Sequence, residues 1–357
     1  MVAAVAVLAA AGLAAAGCSS SGSSSSAAPP AASAASSTAG SPSTGSSSTG
    51  SSSTGSSSTG ANLSSVTLDI GDQKGTGAEA VLTAAGLLSS LPFHVTWSDF
   101  TSGPPMLEAM GSGSVDIGGV GDAPPVFAAS GGEAIEIVGA RETADGDQDA
   151  VLVPKNSPIT SITQLKGKKI AYGSGSSANY NLLTVLTKAG LSTKDVSLVN
   201  LQPATALAAF TSGSVDAWDV WPPYVQQVVA QDNARVLATG SAYGSPYSFE
   251  VASKSSVANP EKAAAITVYL KTLDEAYVWA ATHTGAWAAA WGKAAGLPAS
   301  VMDVAAKVDA TTPITITPAI TSSEQDLVDQ FYAAGLIPNK VNISSYITTQ
   351  FNETVSG

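Results

Sequence analysis

Ser112-Gly113-Ser114-Val115-Asp116 recurs as Ser212-Gly213-Ser214-Val215-Asp216, one hundred residues later. Each copy follows a helical stretch, opens a strand and leads to a proline pair, Pro124-Pro125 or Pro222-Pro223. Proline at the first helical position is preorganised and gives up no useful N–H, so each pair marks a helix starting at the carboxyl end of a strand. That edge of an open α/β sheet is where ligands bind. Two copies of the arrangement predict two lobes of one plan with a cleft between them.

Strand and helix alternate around these anchors, which sets the class as α/β. Val66–Ile70 reads as an alternating strand, followed by the turn Gly71-Asp72-Gln73-Lys74-Gly75-Thr76-Gly77 and a helix over Ala78–Leu88. His94–Trp97, Val115–Val120, Ile135–Ala140, Ala150–Pro154, Lys168–Tyr172, Val196–Leu201, Val215–Trp218 and Ser248–Ser253 read as further strands. Between them Pro105–Met110, Pro124–Ser130, Ala178–Ala189, Ala204–Thr211 and Pro222–Ala230 read as helices. Beyond Ser253 the chain is expected to be helical to its end, over Glu261–His283, Ala286–Ala295, Ala299–Asp309 and Ser323–Ala334. Lys271, Asp274, Glu275, His283 and Lys293 interrupt the segment carrying Trp279, Trp287 and Trp291, so it reads as an amphipathic helix pair packed on the first lobe.

The 357 residues carry a net charge of −12, and the first charged side chain is Asp69. This length allows about two domains. So acidic a chain, with no basic run longer than Lys168-Lys169, does not suit nucleic acid or an anionic membrane surface. Its single cysteine excludes an intrachain disulfide, a Cys-rich zinc site and a Cys-held iron–sulfur cluster.

That cysteine is Cys18, which closes the small and apolar stretch 1–17, read as a signal peptide. Leu13-Ala14-Ala15-Ala16-Gly17-Cys18 resembles a bacterial lipobox, with Cys18 as the lipidated residue; an ordinary signal peptide cut near Ala16 is the other reading. Residues 19–61 are Ser, Thr, Gly, Ala and Pro only, ending in three copies of Ser-Ser-Ser-Thr-Gly. Such sequence buries nothing, and 18–65 is read as a lipidated cysteine plus a disordered linker with a reach of about 40 Å. The expected place is the extracytoplasmic face of the cell membrane, held there by the lipid anchor only.

Several motifs resemble one family. Gln73-Lys74-Gly75, Gly103-Pro104, Leu107-Glu108-Ala109, Gly121-Asp122-Ala123-Pro124-Pro125, Leu165-Lys166-Gly167-Lys168-Lys169, Gly175-Ser176-Ser177-Ala178 and Val215-Asp216-Ala217-Trp218 with Trp221, Pro223 and Tyr224 occur in order over nearly the whole body. Together they are similar to the aliphatic-sulfonate-binding proteins of ABC importers, in the nitrate/sulfonate/taurine group of periplasmic-type binding proteins. The resemblance implies the two-lobed periplasmic-binding-protein (type II) fold, with two hinge crossovers and a helical C-terminal part. It places lobe I at 66–154 plus 248–357 and lobe II at 155–247, with Ala150–Pro154 and Ser248–Ser253 as hinge strands. It further implies a monomeric, non-enzymatic protein without cofactor or metal, whose partners are a small anionic organic solute and a separate ABC permease with its ATPase. Gln73 and Asn179 are expected at the ligand through their place in these motifs.

The chemistry of a sulfonate can be argued from the residues. It is a permanently charged, tetrahedral anion, so a protein this acidic must recognise it locally. Helix N-termini offer unpaired N–H groups and a positive dipole end, and three are expected at strand ends: Gly75–Ala78, Gly121–Pro124 and Gly175–Ala178. Ser174, Ser176 and Ser177 add hydroxyl donors. Lys74 is either a pocket cation or a solvated turn residue, and Arg141 either faces the cleft or pairs with an acid at the surface. Trp218 and Trp221 stand at the second lobe's edge, either as a wall for the solute's tail or as core. Asp122 has a cleft role or caps a helix, whereas Asp116 and Asp216 are expected to make structural bonds at strand starts.

Three departures from the family's pattern leave the solute open. Asn179-Tyr180 stand where the family usually has His-Asn, Pro222 stands where it has Asp, and Asp72 stands where a tyrosine often precedes Gln-Lys. Asp219 is a new acid nearby. Either Asp72 or Asp219 meets an amine on a zwitterion such as taurine, or both are loop acids. Taurine, nitrate and a thiamine-precursor pyrimidine therefore remain alternatives to an aliphatic sulfonate, and a pyrimidine-synthase-like enzyme is the alternative of another class. Gly75-Thr76-Gly77-Ala78-Glu79-Ala80 and Gly173–Ala178 also fit a dinucleotide pattern, but its appearing twice in an exported chain favours two anion-friendly helix starts. No G-x-S-x-G occurs, and His94 and His283 have no triad or metal spacing.

Overall fold

The computed structural model describes residues 62–73, 77–143, 149–231, 234–242 and 244–355, all within one unit, Thr59–Gly357. The signal peptide, Cys18, the Ser/Thr/Gly linker and Lys74 lie outside the described residues. Among the described residues eleven strands form two sheets. They are β1 Thr67–Gln73, β2 His94–Phe100, β3 Ile117–Gly121, β4 Ile135–Thr143, β5 Ala150–Pro154, β6 Lys169–Tyr172, β7 Ser197–Asn200, β8 Ala217–Val220, β9 Ala234–Thr239, β10 Tyr247–Ser253 and β11 Thr311–Ile314. The helices are α1 Ala78–Ala84, α2 Gly103–Gly111, α3 Ala123–Gly131, α4 Ser177–Lys188, α5 Pro203–Thr211, α6 Tyr224–Gln231, α7 Lys254–Ala258, α8 Pro260–Thr282, α9 Thr284–Ala295, α10 Ala299–Val308 and α11 Pro318–Ala333.

The strand orders are β2-β1-β3-β10-β4-β11 and β7-β6-β8-β5-β9. In each sheet a parallel trio is followed by one antiparallel strand, β10 or β5. In chain order these two strands are the first after the chain changes sheets. The two-lobed plan expected from the repeat is therefore present. The first crossing point differs from that expected and the second does not: β5 pairs only within the second sheet and β10 only within the first. The lobe change thus falls between β4 and β5, before Ala150 rather than after Pro154, and again between β9 and β10.

The repeat makes the same bonds in both lobes. Gly113 and Gly213 turn with φ of 83° and 73°, the left-handed region that glycine enters without steric cost. The Asp116 N–H donates to the Asp69 carbonyl at 2.7 Å while its carboxylate accepts from the Asp69 N–H at 2.9 Å. Asp216 does the same with Lys169, at 2.8 Å and 2.8 Å. Each aspartate thus clips its own strand to the next, the structural role expected of it. Only Asp116 also takes an ion pair, from Lys262 at 2.6 Å.

The expectation of helix alone after Ser253 is corrected by β11, which joins the edge of the first sheet against β4. Pro313 lies inside β11, and an edge strand tolerates a proline because one side of its backbone needs no ladder. α8, α9 and α10 cover the first sheet with α1, burying Tyr269, Leu273, Trp287, Trp291 and Met302. That placement is the one read from their amphipathic pattern.

A separate apolar cluster joins the lobes. Ala123 and Val126 of α3, Tyr180 and Leu183 of α4, and Leu327, Val328 and Phe331 of α11 pack together. Gln330 donates from Nε2 to the Tyr180 hydroxyl at 3.1 Å. Glu324 on α11 is 0% exposed, and neither carboxylate oxygen has a hydrogen-bond partner. Burial, with Asp122 adding to it, holds its pKa well above the usual Glu range. A carboxyl raised in the folded state contributes fully below its unfolded pKa, and that contribution is lost as pH rises toward the folded value. Glu324→Met removes this loss and should raise stability at neutral pH by about 1–3 kcal/mol, the size of an unsatisfied buried polar group. Urea unfolding of both proteins at acid and neutral pH checks it; parallel pH profiles would place the cost elsewhere.

Candidate functional site

A cleft of about 140 Å³ opens where the carboxyl ends of the two sheets meet. The first lobe lines it with Gln73, Gly121, Asp122, Arg141, Tyr277, Trp287 and Asp309, and the second with Ser176, Ser177 and Trp221. Asp149 and Ser245–Ser248, at the crossovers, complete the wall.

Each lining residue is placed by its element. Gln73 ends β1, and its Nε2 donates to the Gly119 carbonyl at 2.8 Å, holding the carboxamide across to β3. Asp122 follows β3, and its carboxylate accepts from the Ala123 N–H at 2.7 Å at the start of α3. Burial, and secondarily Asp149, keeps the Asp122 carboxyl well above its usual range. Arg141, near the end of β4, is 5% exposed, lies 4.3 Å over the Tyr277 ring and pairs with Glu250 at 2.7 Å.

On the second lobe the turn before α4 is tightened by its own side chains. Ser176 donates from Oγ to the Gly173 carbonyl at 2.7 Å, and Gly175, at φ 74°, donates its N–H to Asn179 Oδ1 at 3.1 Å. The α4 N-terminus carries no side-chain cap at Ser176, and with Ser176 and Ser177 both in the cleft wall its positive dipole end lies at the cleft. The lobes approach closely there: a β-carbon on Gly121 would stand 3.0 Å from that of Ser177. Thr101 and Ser102 donate hydroxyl hydrogen bonds to Gln202 Oε1, both 2.9 Å, tying the lobes at a second point.

Of the eleven expected ligand-binding residues, Gln73, Gly121, Asp122, Ser176, Ser177 and Trp221 line the cleft. Lys74 lies outside the described residues. Four are placed elsewhere. Trp218 is 1% exposed and packs with Phe210 and Tyr224, because alternation along β8 turns it to the face covered by α5 and α6. Asn179 bonds the turn, Ser174 is exposed with its N–H on Asn200 Oδ1, and Ala123 is buried in the cluster between the lobes. Of the three expected anion-binding helix starts, that of α1 is taken: the Asp72 carboxylate accepts from the N–H groups of Ala78 and Glu79, both at 3.1 Å. Asp219 is fully buried on Asn181 Nδ2 at 2.9 Å. Neither Asp72 nor Asp219 is among the cleft-lining residues.

Tyr277, Trp287 and Asp309 were missed. Their helices read as a cover for the first lobe, and helical periodicity does not show which turn of a covering helix borders a cleft. Among the described lining residues Arg141 is the one cation, against the carboxyls of Asp122, Asp149 and Asp309. Burial, and then Asp149, pushes Asp309 up to about 7, with Arg141 opposing.

Comparison with known proteins agrees with this geometry. Residues 102–283 match the family described as NMT1/THI5 like. The chain is 36% identical over 289 residues to a protein of Escherichia coli (strain K12) named for aliphatic sulfonate binding, covering 80% of this chain and 89% of that one. The crystal structure of the periplasmic aliphatic sulphonate binding protein SsuA from Escherichia coli superposes with a TM-score of 0.70 at 35% identity, covering 79% and 92% of the two chains. The alkanesulfonate-binding protein SsuA from Xanthomonas axonopodis pv. citri, bound to MOPS, gives 0.75 at 31% identity over 80% and 99%. The desulfurization enzyme DSZB shares the fold alone, at 14% identity and a TM-score of 0.60. With its two matching sheets, its cleft at their carboxyl ends and these relatives, this chain belongs to the NMT1/THI5-like family, among the two-lobed solute-binding proteins of periplasmic-binding-protein fold.

Proposed function

We propose that this protein is a lipid-anchored, extracytoplasmic binding protein that captures an aliphatic sulfonate and delivers it to the permease of an ABC importer. One observation carries the reading: a buried guanidinium on one lobe and an uncapped helix N-terminus on the other open onto the same cleft. A sulfonate has three oxygens to divide between them, and Trp221 and Trp287 offer apolar surface to its tail. Charge-assisted hydrogen bonds of about 1.5–3 kcal/mol each, with a helix end adding about 0.3–1, reach the roughly −8 kcal/mol of micromolar binding. Cys18 and the linker supply the anchor. The relatives named for sulfonate binding support the solute class.

Calorimetry with methanesulfonate, octanesulfonate, taurine, nitrate and a hydroxymethylpyrimidine decides the solute. Binding of nitrate or the pyrimidine with no response to any sulfonate would overturn the reading. An aminosulfonate is the second reading, favoured by the carboxyls of Asp122, Asp149 and Asp309 around the cleft. A taurine-binding periplasmic protein of Escherichia coli (strain K12), 34% identical over 42% of this chain, agrees with it. Ser177→Ala should weaken any sulfonate by about 1–2 kcal/mol if its hydroxyl donates to the anion, read by the same calorimetry; unchanged affinity would leave the backbone of α4 as the donor. For the anchor, Cys18→Ala should move the protein from the membrane fraction to the medium, and absence of labelled fatty acid from the unmodified protein would exclude lipidation.

A further inference from the structure

Glu250 is a carboxylate built into the middle of the first sheet. It is 2% exposed, and the neighbouring strands make room for it with glycine on both sides. A β-carbon on Gly119 would stand 2.8 Å from its Oε1, and one on Gly139 would stand 3.4 Å from its β-carbon. Its Oε1 accepts from Arg141 Nη1 at 2.7 Å, while Oε2 has no hydrogen-bond partner. Glu250 does not line the cleft; Arg141 does. The only described cation in the cleft wall therefore meets the solute already paired with a carboxylate, in a wall that also carries carboxyls.

We infer that Glu250 sets the charge of the solute the cleft accepts: with Arg141 balanced by a buried carboxylate, the site takes a monoanion and rejects a dianion of the same shape. A sulfonate bears one charge, whereas sulfate and a fully ionised phosphonate bear two, and each feels Glu250 through Arg141 at short range. This goes deeper into the proposed sulfonate site and rests on it. Every unit of solute charge is repelled once by Glu250, so removing that carboxylate helps a dianion about twice as much, on a logarithmic scale, as a monoanion. Glu250 acts here as a positioning and charge-setting residue without touching the solute.

The test compares the unmodified protein with Glu250→Gln, whose amide oxygen can still accept from Arg141. Calorimetry with ethanesulfonate and sulfate should show sulfate binding rise by at least about 100-fold in the variant, twice on a logarithmic scale the effect on a monoanion of removing one charge several ångströms away at an effective dielectric near 20. Ethanesulfonate should gain about the square root of that factor. Loss of affinity for both would mean that Glu250 only holds Arg141 in place, and an unchanged sulfate-to-sulfonate ratio would equally overturn the inference. A measurement on the unmodified protein stands even if the variant does not fold. Methylphosphonate, isosteric with methanesulfonate, should bind while it carries one charge and lose at least about 10-fold as its second proton leaves. Methanesulfonate titrated over the same pH range shows any change in the protein's own groups, among them Asp122, Asp149 and Asp309 in the cleft wall and Asp72, Asp274, Tyr269 and Tyr277 around the pair. Equal binding of both phosphonate forms would overturn the inference. If no sulfonate binds the unmodified protein, it is the solute reading that has failed.

Discussion

Arg141→Ala lowers the free energy of unfolding by about 3–5 kcal/mol, the cost of removing one partner of a buried ion pair, and weakens sulfonate binding by at least about 10–100-fold. The first effect arises because Glu250 stays where it is, 2% exposed and without its counter-charge. The second arises because Arg141 is the one cation among the described cleft-lining residues. The two separate in the double variant Arg141→Met with Glu250→Met. Removing both charges relieves the isolated carboxylate and recovers most of the stability, as replacing a buried pair by hydrophobic residues of similar volume does, but it restores no anion partner. Urea unfolding and calorimetry on the three proteins read the two losses independently. A double variant that binds ethanesulfonate as tightly as the unmodified protein would remove Arg141 from the anion site.

Trp218→Ala should cost about 3–5 kcal/mol of stability, in the range of large aromatic core truncations, and leave the solute affinity of the folded protein unchanged. Its ring lies 6.1 Å from that of Phe210 and 6.1 Å from that of Tyr224, wholly inside the second lobe. Trp221, three residues on, lines the cleft and meets Tyr224 edge-on at 6.2 Å. Trp221→Ala should therefore cost less stability and weaken octanesulfonate by about 10-fold or more relative to methanesulfonate, because only the longer tail loses apolar contact. Thermal unfolding and calorimetry on both variants check the contrast. Reduced affinity for every chain length in the Trp218 variant would mean that the second lobe's core shapes the anion site as well.

The α/β class, the doubling of the lobe and the edge where the cleft opens all follow from the sequence, because they are local. The alternation of strand and helix, the glycine turns at 113 and 213 and the prolines opening the next helices each depend on residues within a few positions. Asp116 and Asp216 are legible for the same reason: a carboxylate at a strand start finds backbone N–H groups beside it. Six of the cleft-lining residues, from Gln73 to Trp221, were legible as well, since a chain leaving a strand for a helix at that edge has to pass the cleft.

Tertiary structure decided everything that depended on a partner far along the chain. Arg141 and Glu250 are 109 residues apart, and nothing near either shows that they meet. Asp72 caps α1 across a turn, closing a helix start that reads as open from its glycines alone. Trp218 and Trp221 have the same neighbourhood in sequence, and the phase of β8 sends one into the core and leaves the other at the cleft. Tyr277, Trp287 and Asp309 reach the cleft because α8, α9 and α10 fold back over the first sheet. Periodicity records that a face is buried; only the assembled sheets decide what it is buried against.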